Sequence, residues 1–254
     1  MVKGIILAGG KGTRLYPITK AVSKQLLPVY NKPMIFLPLY LLKKSGVKKI
    51  LIIVNPHDLN LFKKLLGNGN DYGVNITYKT QKEPNGIAEA FIISKTFLKK
   101  FSKVILILGD NFFYGAKLFE SIKNAISSKK SASIFTYIVS KPQLYGVLKM
   151  KSGVPLKIEE KPMKPSSNLA IPGLYIYNQS VMKNVRFLKP SKRGELEITD
   201  LNNIYFTKND IHIENLDEGI TWMDMGSFDS YLDASMFISS LEKRKGYEVY
   251  NPKK

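Results

Sequence analysis

Three short apolar runs, Val2–Leu7, Lys49–Val54 and Lys103–Leu108, constrain the fold of this chain more than any other feature. Each is rich in isoleucine, leucine and valine and ends at glycine or polar residues, so each reads as a strand buried on both faces. Helical patterns lie between them. Pro33–Ser45 is stopped by Gly46 and has a proline suited to its first turn. Asp58–Leu66 has helical spacing, Asn75–Thr80 alternates as a strand, and Ile87–Lys100 returns to helix. This alternation predicts an α/β fold, Rossmann-like, with a mixed, mostly parallel central sheet flanked by helices.

Beyond a helix at Leu118–Ser127 the pattern changes. Shorter strands at Ser133–Val139, Val147–Met150, Leu156–Glu159 and Gly173–Asn178, separated by proline and glycine, suggest a mixed or antiparallel extension of the sheet. Helices at Gln179–Val185 and Ile198–Thr207, a strand near Ile211–Leu216 and a closing helix from Asp229 to about Lys243 complete the pattern. One domain is expected over residues 1–245, with halves at about 1–130 and 131–228 and a closing helix at 229–245. Residues 246–254 read as a basic C-terminal tail.

Composition removes several classes of chemistry. A chain of 254 residues without cysteine has no disulfide, thiol nucleophile or zinc ribbon, and two isolated histidines, His57 and His212, leave carboxylates as the metal ligands available. The formal charge is +19, yet only four basic residues are arginine and the lysines are scattered. That is a solvated lysine surface which draws in small anions, not a nucleic-acid-binding patch. The N-terminus lacks a signal-peptide pattern, and the longest apolar stretch, Pro33–Leu42, is too short to span a bilayer. A cytoplasmic protein without a nucleic-acid or membrane partner is expected.

Candidate chemistry follows the strands, where ligands bind in an open α/β sheet. Leu7-Ala8-Gly9-Gly10-Lys11-Gly12-Thr13-Arg14 combines glycines that admit close backbone approach to a phosphate with two cations. It matches neither the Walker loop nor the dinucleotide fingerprint. Asp110 follows the third apolar run, and Met223-Asp224-Met225-Gly226 sets a second acid among apolar residues. Two aspartates completed by water and phosphate oxygens suit Mg²⁺. Asp200, Asp217, Asp229 and Asp233 read as caps or solvated acids. At Gln81-Lys82-Glu83-Pro84-Asn85-Gly86, the amide could pair with the edge of a base and the glycine could admit a flat ring. Glu159-Glu160-Lys161-Pro162 places acid beside base, suited to a sugar hydroxyl and a phosphate.

Taken in order, these segments resemble the sugar-1-phosphate nucleotidylyltransferases, and within them the short form of the glucose-1-phosphate thymidylyltransferase branch. The likeness runs from residue 2 to about 250. It includes Gly-Gly-Lys-Gly-Thr-Arg-Leu-Tyr-Pro-Ile-Thr at 9–19, Ser-Lys-Gln-Leu-Leu-Pro-Val at 23–29, Leu-Gly-Asp-Asn-Phe-Phe-Tyr-Gly at 108–115, Arg-Gly-Glu-Leu-Glu-Ile-Thr-Asp-Leu-Asn at 193–202 and Trp-Met-Asp-Met-Gly at 222–226. The first segment marks the wider family; the second and the arginine-led one are more particular to the thymidylyl branch.

The resemblance implies that dTTP and glucose 1-phosphate are the substrates, Mg²⁺ the cofactor, and a dimer or tetramer the assembly. It implies that Leu7, Ala8, Gly9, Gly10, Gly12 and Thr13 embrace the nucleotide and that Gln81 and Gly86 read its base. Arg14 and Lys24 would hold the triphosphate, Asp110 and Asp224 the metal. Asn111, Gly146, Glu160, Gly173 and Tyr175 match hexose-contacting positions, and Lys161 and Arg193 those that grip the sugar's phosphate. Arg14, Lys24 and Asp110 are thus the expected catalytic residues. Departures fall at Glu89, where the branch commonly has glutamine, and at Pro172, where it usually has a small residue such as threonine. Uridylyl or cytidylyl transfer and a non-catalytic sugar-nucleotide-binding module are the alternative readings.

Overall fold

The structure is a computed structural model that describes residues 1–253. Its strands, in chain order, are β1 (Val2–Ala8), β2 (Pro28–Val29), β3 (Lys32–Pro33), β4 (Lys49–Val54), β5 (Asn75–Thr80), β6 (Lys103–Leu108) and β7 (Asn111–Tyr114). Then come β8 (Ala132–Ile138), β9 (Gly146–Lys151), β10 (Val154–Glu160), β11 (Leu169–Ala170), β12 (Leu174–Asn178), β13 (Ile211–Asn215) and β14 (Thr221–Asp224). The α-helices are α1 (Phe36–Lys44), α2 (Leu59–Leu66), α3 (Glu89–Ile93), α4 (Leu118–Ser127), α5 (Val181–Asn184), α6 (Ile198–Thr207) and α7 (Phe228–Lys245). The expected mixed, mostly parallel sheet with flanking helices is present.

The chain forms two compact units interleaved in sequence. The first takes Val2–Pro84, Leu106–Tyr114 and the chain from Thr221 onward; the second takes Asn85–Ile105 and Gly115–Ile220 together with Met1. Strand β6 thus gives its first half to one unit and its second half to the other.

In the first unit β1, β4 and β5 run parallel, with Ala8 opposite Val54 and Val54 opposite Thr80. Ile5, Ile6, Ile50, Ile52 and Ile53 are fully buried, which is why β1 and β4 read as unbroken apolar runs, whereas β5 alternates. Strands β7 and β14 pair antiparallel, setting Asp224 opposite Asn111. A cluster of Met34, Leu37, Phe112, Met225, Ala234 and Ile238 packs at this level of the unit. Helix α7 opens on a capping box between Ser227 and Ser230 and stops at Gly246, whose φ of 69° suits glycine.

The second unit is built on β8. It pairs antiparallel with β11 and β12 and parallel with β13, while β9 and β10 form an antiparallel pair. Asn203 of α6 fastens to β10 by both atoms of its amide, accepting from the Ile158 amide and donating to the Ile158 carbonyl, each at 2.9 Å.

Several elements differ from their sequence-based bounds. The helix expected from Pro33 starts at Phe36, because Lys32–Pro33 pairs with Pro28–Val29 in a small hairpin. The helix expected over Ile87–Lys100 is α-helical only over Glu89–Ile93 and continues as turns; Ser94 turns its hydroxyl onto the Phe91 carbonyl and competes with the helical ladder. Gln179–Val185 reduces to α5 and a 3₁₀ turn. Within the segment expected as a basic tail, Val249 and Tyr250 are buried; Lys254 lies outside the described residues. Among the described residues no helix is long and apolar enough to cross a membrane.

Candidate active site

The glycine loop follows β1 in the first unit and is held at two points. Gly10, at φ 95°, is bracketed by Asn55, whose side-chain oxygen accepts from the Gly10 amide at 3.1 Å and whose amide nitrogen donates to the Gly10 carbonyl at 3.2 Å. Asn55 also donates to the buried Asp58 at 2.9 Å. Gly12, at φ 61°, has its carbonyl bonded by the Thr19 hydroxyl at 2.8 Å, and Thr19 fills the space a Cβ there would need. Leu7 accepts from the Gly109 amide at 2.8 Å, which ties the start of the loop to the approach to Asp110. A Cβ at Gly9 would lie 3.1 Å from the Gln81 side-chain oxygen, so the expected base reader rests against the loop. Thr13 and Arg14 are exposed on the short turn that follows. A cavity of about 350 Å³ in this unit is lined by Gly10, Ser23 and Asn55 and by Lys11, Lys24 and Lys82, with Asp58 and Glu83 also on its wall.

Asp110, between β6 and β7, is buried and forms an ion pair with Lys24. Its other oxygen accepts from the Asn111 amide at 3.2 Å, and Asn111 accepts from the Trp222 indole at 2.7 Å. Burial by itself would raise the Asp110 carboxyl, but the Lys24 charge and the hydrogen bonds from Lys24 and Asn111 hold it below the usual carboxylate range. The Met225 amide donates to the Asp110 carbonyl at 2.9 Å, so the residue that follows β14 is bonded to Asp110 itself. Gly226 then admits Arg14: a Cβ there would stand 2.3 Å from an Arg14 guanidinium nitrogen and 3.0 Å from an Asp224 carboxylate oxygen. The unit therefore brings Arg14, Lys24, Asp110, Asn111 and Asp224 to one place.

Among the described residues no three His, Cys, Asp or Glu side chains cluster as a ready-made metal cage. Asp224 lies opposite Asn111, the neighbour of Asp110, so the two aspartates would offer a hard divalent ion a pair of carboxylates completed by water and phosphate oxygens.

In the second unit the charged groups gather on Glu160, at the end of β10. Glu160 accepts from the Thr199 hydroxyl at 2.5 Å and from Arg193 at 3.3 Å, with the Lys161 ammonium 3.9 Å away. A Cβ at Gly146 would lie 3.3 Å from the Thr199 hydroxyl and 3.5 Å from Glu160, so the glycine leaves this pair open on one side. Arg193 is aimed by Glu197, which accepts from its guanidinium at 3.0 Å through either carboxylate oxygen. Burial disfavours the charged form, yet Glu197, Glu195 and Glu160 raise the Arg193 pKa and keep it cationic. Burial, with Glu160 nearby, pushes the Tyr175 phenol up, so it remains a protonated donor. Gly173 lies in the turn that enters β12, where the Leu174 amide donates to the Pro172 carbonyl at 2.8 Å.

Gly86 is fixed by a different neighbour from the one its sequence suggests. A Cβ there would collide with the Leu196 backbone at 2.4 Å, so close chain packing alone requires a glycine at φ 102°. Glu89, a departure from the branch pattern, accepts from Asn85 at 3.0 Å. Asn55, Asp58, Thr19, Glu197 and Thr199 were not singled out by sequence reading. Of these Asn55 carried a signal, since Ala8 is in register with Val54 and the residues after the two strands must face each other.

This arrangement defines a phosphate-handling α/β enzyme. The nucleotidyl transferase family model matches residues 3–240, and the chain belongs to that family. It is 49% identical over 252 residues to the glucose-1-phosphate thymidylyltransferase of Mycobacterium tuberculosis (strain ATCC 25618 / H37Rv), covering 99% of this chain and 87% of that protein. The enzyme of the same name from Xanthomonas campestris pv. campestris (strain B100) is 48% identical over 251 residues, covering 98% of this chain and 85% of its own length. A crystal structure from Bacillus anthracis, of a protein assigned that name and in complex with a sucrose, superposes with a TM-score of 0.86 at 37% identity, covering 93% of this chain and 95% of that one.

Proposed function

We propose that this protein transfers a thymidylyl group from dTTP to glucose 1-phosphate, releasing pyrophosphate and forming dTDP-glucose, with Mg²⁺ as cofactor. The observation that carries the reading is the gathering of Arg14, Lys24, Asp110 and Asp224 in the first unit, around a glycine loop held from outside by Asn55 and Thr19. The names of the relatives supply the substrates.

On this reading Leu7, Ala8, Gly9, Gly10, Gly12 and Thr13 cradle the nucleotide, with the base read by Gln81 and Gly86. Arg14 and Lys24 hold the triphosphate and stabilise the departing pyrophosphate. Asn111, Gly146, Glu160, Gly173 and Tyr175 receive the hexose, and Lys161 and Arg193 its phosphate. Asp110 and Asp224 hold Mg²⁺, which when bound neutralises phosphate charge. The attacking phosphate is already ionised, so the reaction needs no general base and no covalent nucleophile. Its obstacle is repulsion between two anions. Aligning the substrates can lower the barrier by roughly 7 to 11 kcal/mol, and preorganised positive charge supplies much of the remainder.

The test is pyrophosphate release from dTTP, UTP, CTP, ATP and GTP in parallel, with glucose 1-phosphate and Mg²⁺, against no-sugar and EDTA controls. The reading expects turnover fastest with dTTP and absent in both controls. No turnover with any nucleotide would overturn it, and preference for another nucleotide would move the assignment to that base.

A further inference from the structure

Residues 246–253 are polar and basic in much of their sequence, but Val249 and Tyr250 are buried against the first unit. Glu242, buried near the end of α7, accepts from Lys32 at 2.5 Å, from Asn31 at 2.7 Å and from the Val249 amide at 2.9 Å. The Lys43 ammonium donates to the Pro252 carbonyl at 2.7 Å. Tyr250 sits with φ 55°, a conformation that a non-glycine residue keeps only when its surroundings impose it.

Its side chain is held by β7 and α1. The Tyr250 ring meets Phe112 edge-on at 5.2 Å and Tyr40 at 4.8 Å, and its hydroxyl donates to the Phe113 carbonyl. Phe112 and Phe113 are the second and third residues of β7, which begins at Asn111, next to Asp110. On its other edge β7 pairs with β14, and Met225 bonds the Asp110 carbonyl. The backbone that carries Asp110 is thus held by β14 on one side and by Tyr250 on the other.

We infer that the segment 247–253, through Tyr250, is a positioning element for the Asp110–Asp224 carboxylate pair. Tyr250 touches no reacting atom; it acts through Phe112 and Phe113. The inference rests on the proposed reading of Asp110 as a metal-holding carboxylate. Groups that orient ligands from behind typically change metal affinity or activity by about 10- to 100-fold when removed.

The test compares wild type with Tyr250→Ala, Tyr250→Leu and Tyr250→Phe. The readouts are Mn²⁺ binding by EPR in the presence of dTTP, corrected for Mn²⁺ held by the free nucleotide, the Mg²⁺ dependence of pyrophosphate release, KM for glucose 1-phosphate, and Tm. Tyr250→Ala is expected to weaken Mn²⁺ binding about tenfold and raise the activating Mg²⁺ concentration in parallel, with the sugar-phosphate KM unchanged. Tyr250→Phe, which keeps the ring, should recover most of that loss. If Tyr250→Ala does not fold, Tyr250→Leu keeps enough bulk to fold and should show the same shift. A fall in Tm with metal binding and kcat intact would overturn the inference and leave the proposed function standing. Unchanged Mn²⁺ binding in an Asp110→Asn control would instead strike the reading of Asp110 itself.

Discussion

Lys24 and Asp110 neutralise each other in the free protein: the Lys24 ammonium is bonded to one oxygen of a buried carboxylate whose other oxygen is bonded by Asn111. The lysine assigned to the triphosphate and the aspartate assigned to the metal are therefore partners before either ligand arrives. Binding of nucleotide and metal must exchange this contact for two others. Lys24→Met is expected to lower kcat by about 10²- to 10³-fold, as loss of one preorganised charge does. It should also strengthen Mn²⁺ binding to the nucleotide-free protein, since the competing cation is gone. Titration calorimetry and steady-state rates check the two effects separately.

Gly226→Ala places a methyl where the Arg14 guanidinium lies. Arginine is long enough to swing aside, so the fold should survive with Tm close to wild type. The cost should appear in kcat, about 10²-fold for a displacement on the order of 1 Å. A full-rate Gly226→Ala enzyme would show that Arg14 is not used where it stands.

Asn55→Ala removes both bonds that bracket Gly10 and one donor to the buried Asp58 carboxylate, which keeps His57 at 3.2 Å. An unsatisfied buried group costs about 1–3 kcal/mol, so denaturant unfolding should show a loss in that range. The dTTP KM should rise while the glucose 1-phosphate KM holds. Glu197→Ala is the counterpart in the second unit. With Arg193 no longer aimed, the glucose 1-phosphate KM should rise and the dTTP KM stay constant.

Tyr78 gives a pH prediction with a definite window. Burial, reinforced by Tyr72, pushes its phenol up to about 12, and its hydroxyl donates to the Gly67 carbonyl at 2.7 Å. The folded protein holds the proton that an unfolded chain releases near pH 10. The stabilisation is therefore complete below pH 10 and is lost progressively as pH rises towards 12. Tyr78→Phe should flatten the fall of Tm across that window while lowering Tm at neutral pH.

Much of the fold was legible because parallel strands are buried on both faces. β4, β5, α4 and α6 have the bounds that their apolar patterns predict. The antiparallel pair β7–β14 was not legible, since each strand is only four residues long and its partner lies about a hundred residues away. Within the candidate site, glycines and acids stand out from sequence, and Asp110 and Asp224 were singled out that way. The residues that aim them were not. Trp222, Thr19 and Glu197 act through side-chain bonds that leave no periodic trace, and Tyr250 lies in a stretch whose lysines disguise its burial. Gly86 carries a constraint that its sequence setting did not show: the Leu196 backbone packs where a Cβ would stand.

The central claim is a single displacement driven by positioned charge, with no nucleotidylated enzyme. Exchange of labelled pyrophosphate into dTTP tests it most directly. The account expects label in dTTP only when dTDP-glucose or glucose 1-phosphate is present. Exchange with protein, Mg²⁺, dTTP and pyrophosphate alone would reveal a covalent intermediate and contradict the account.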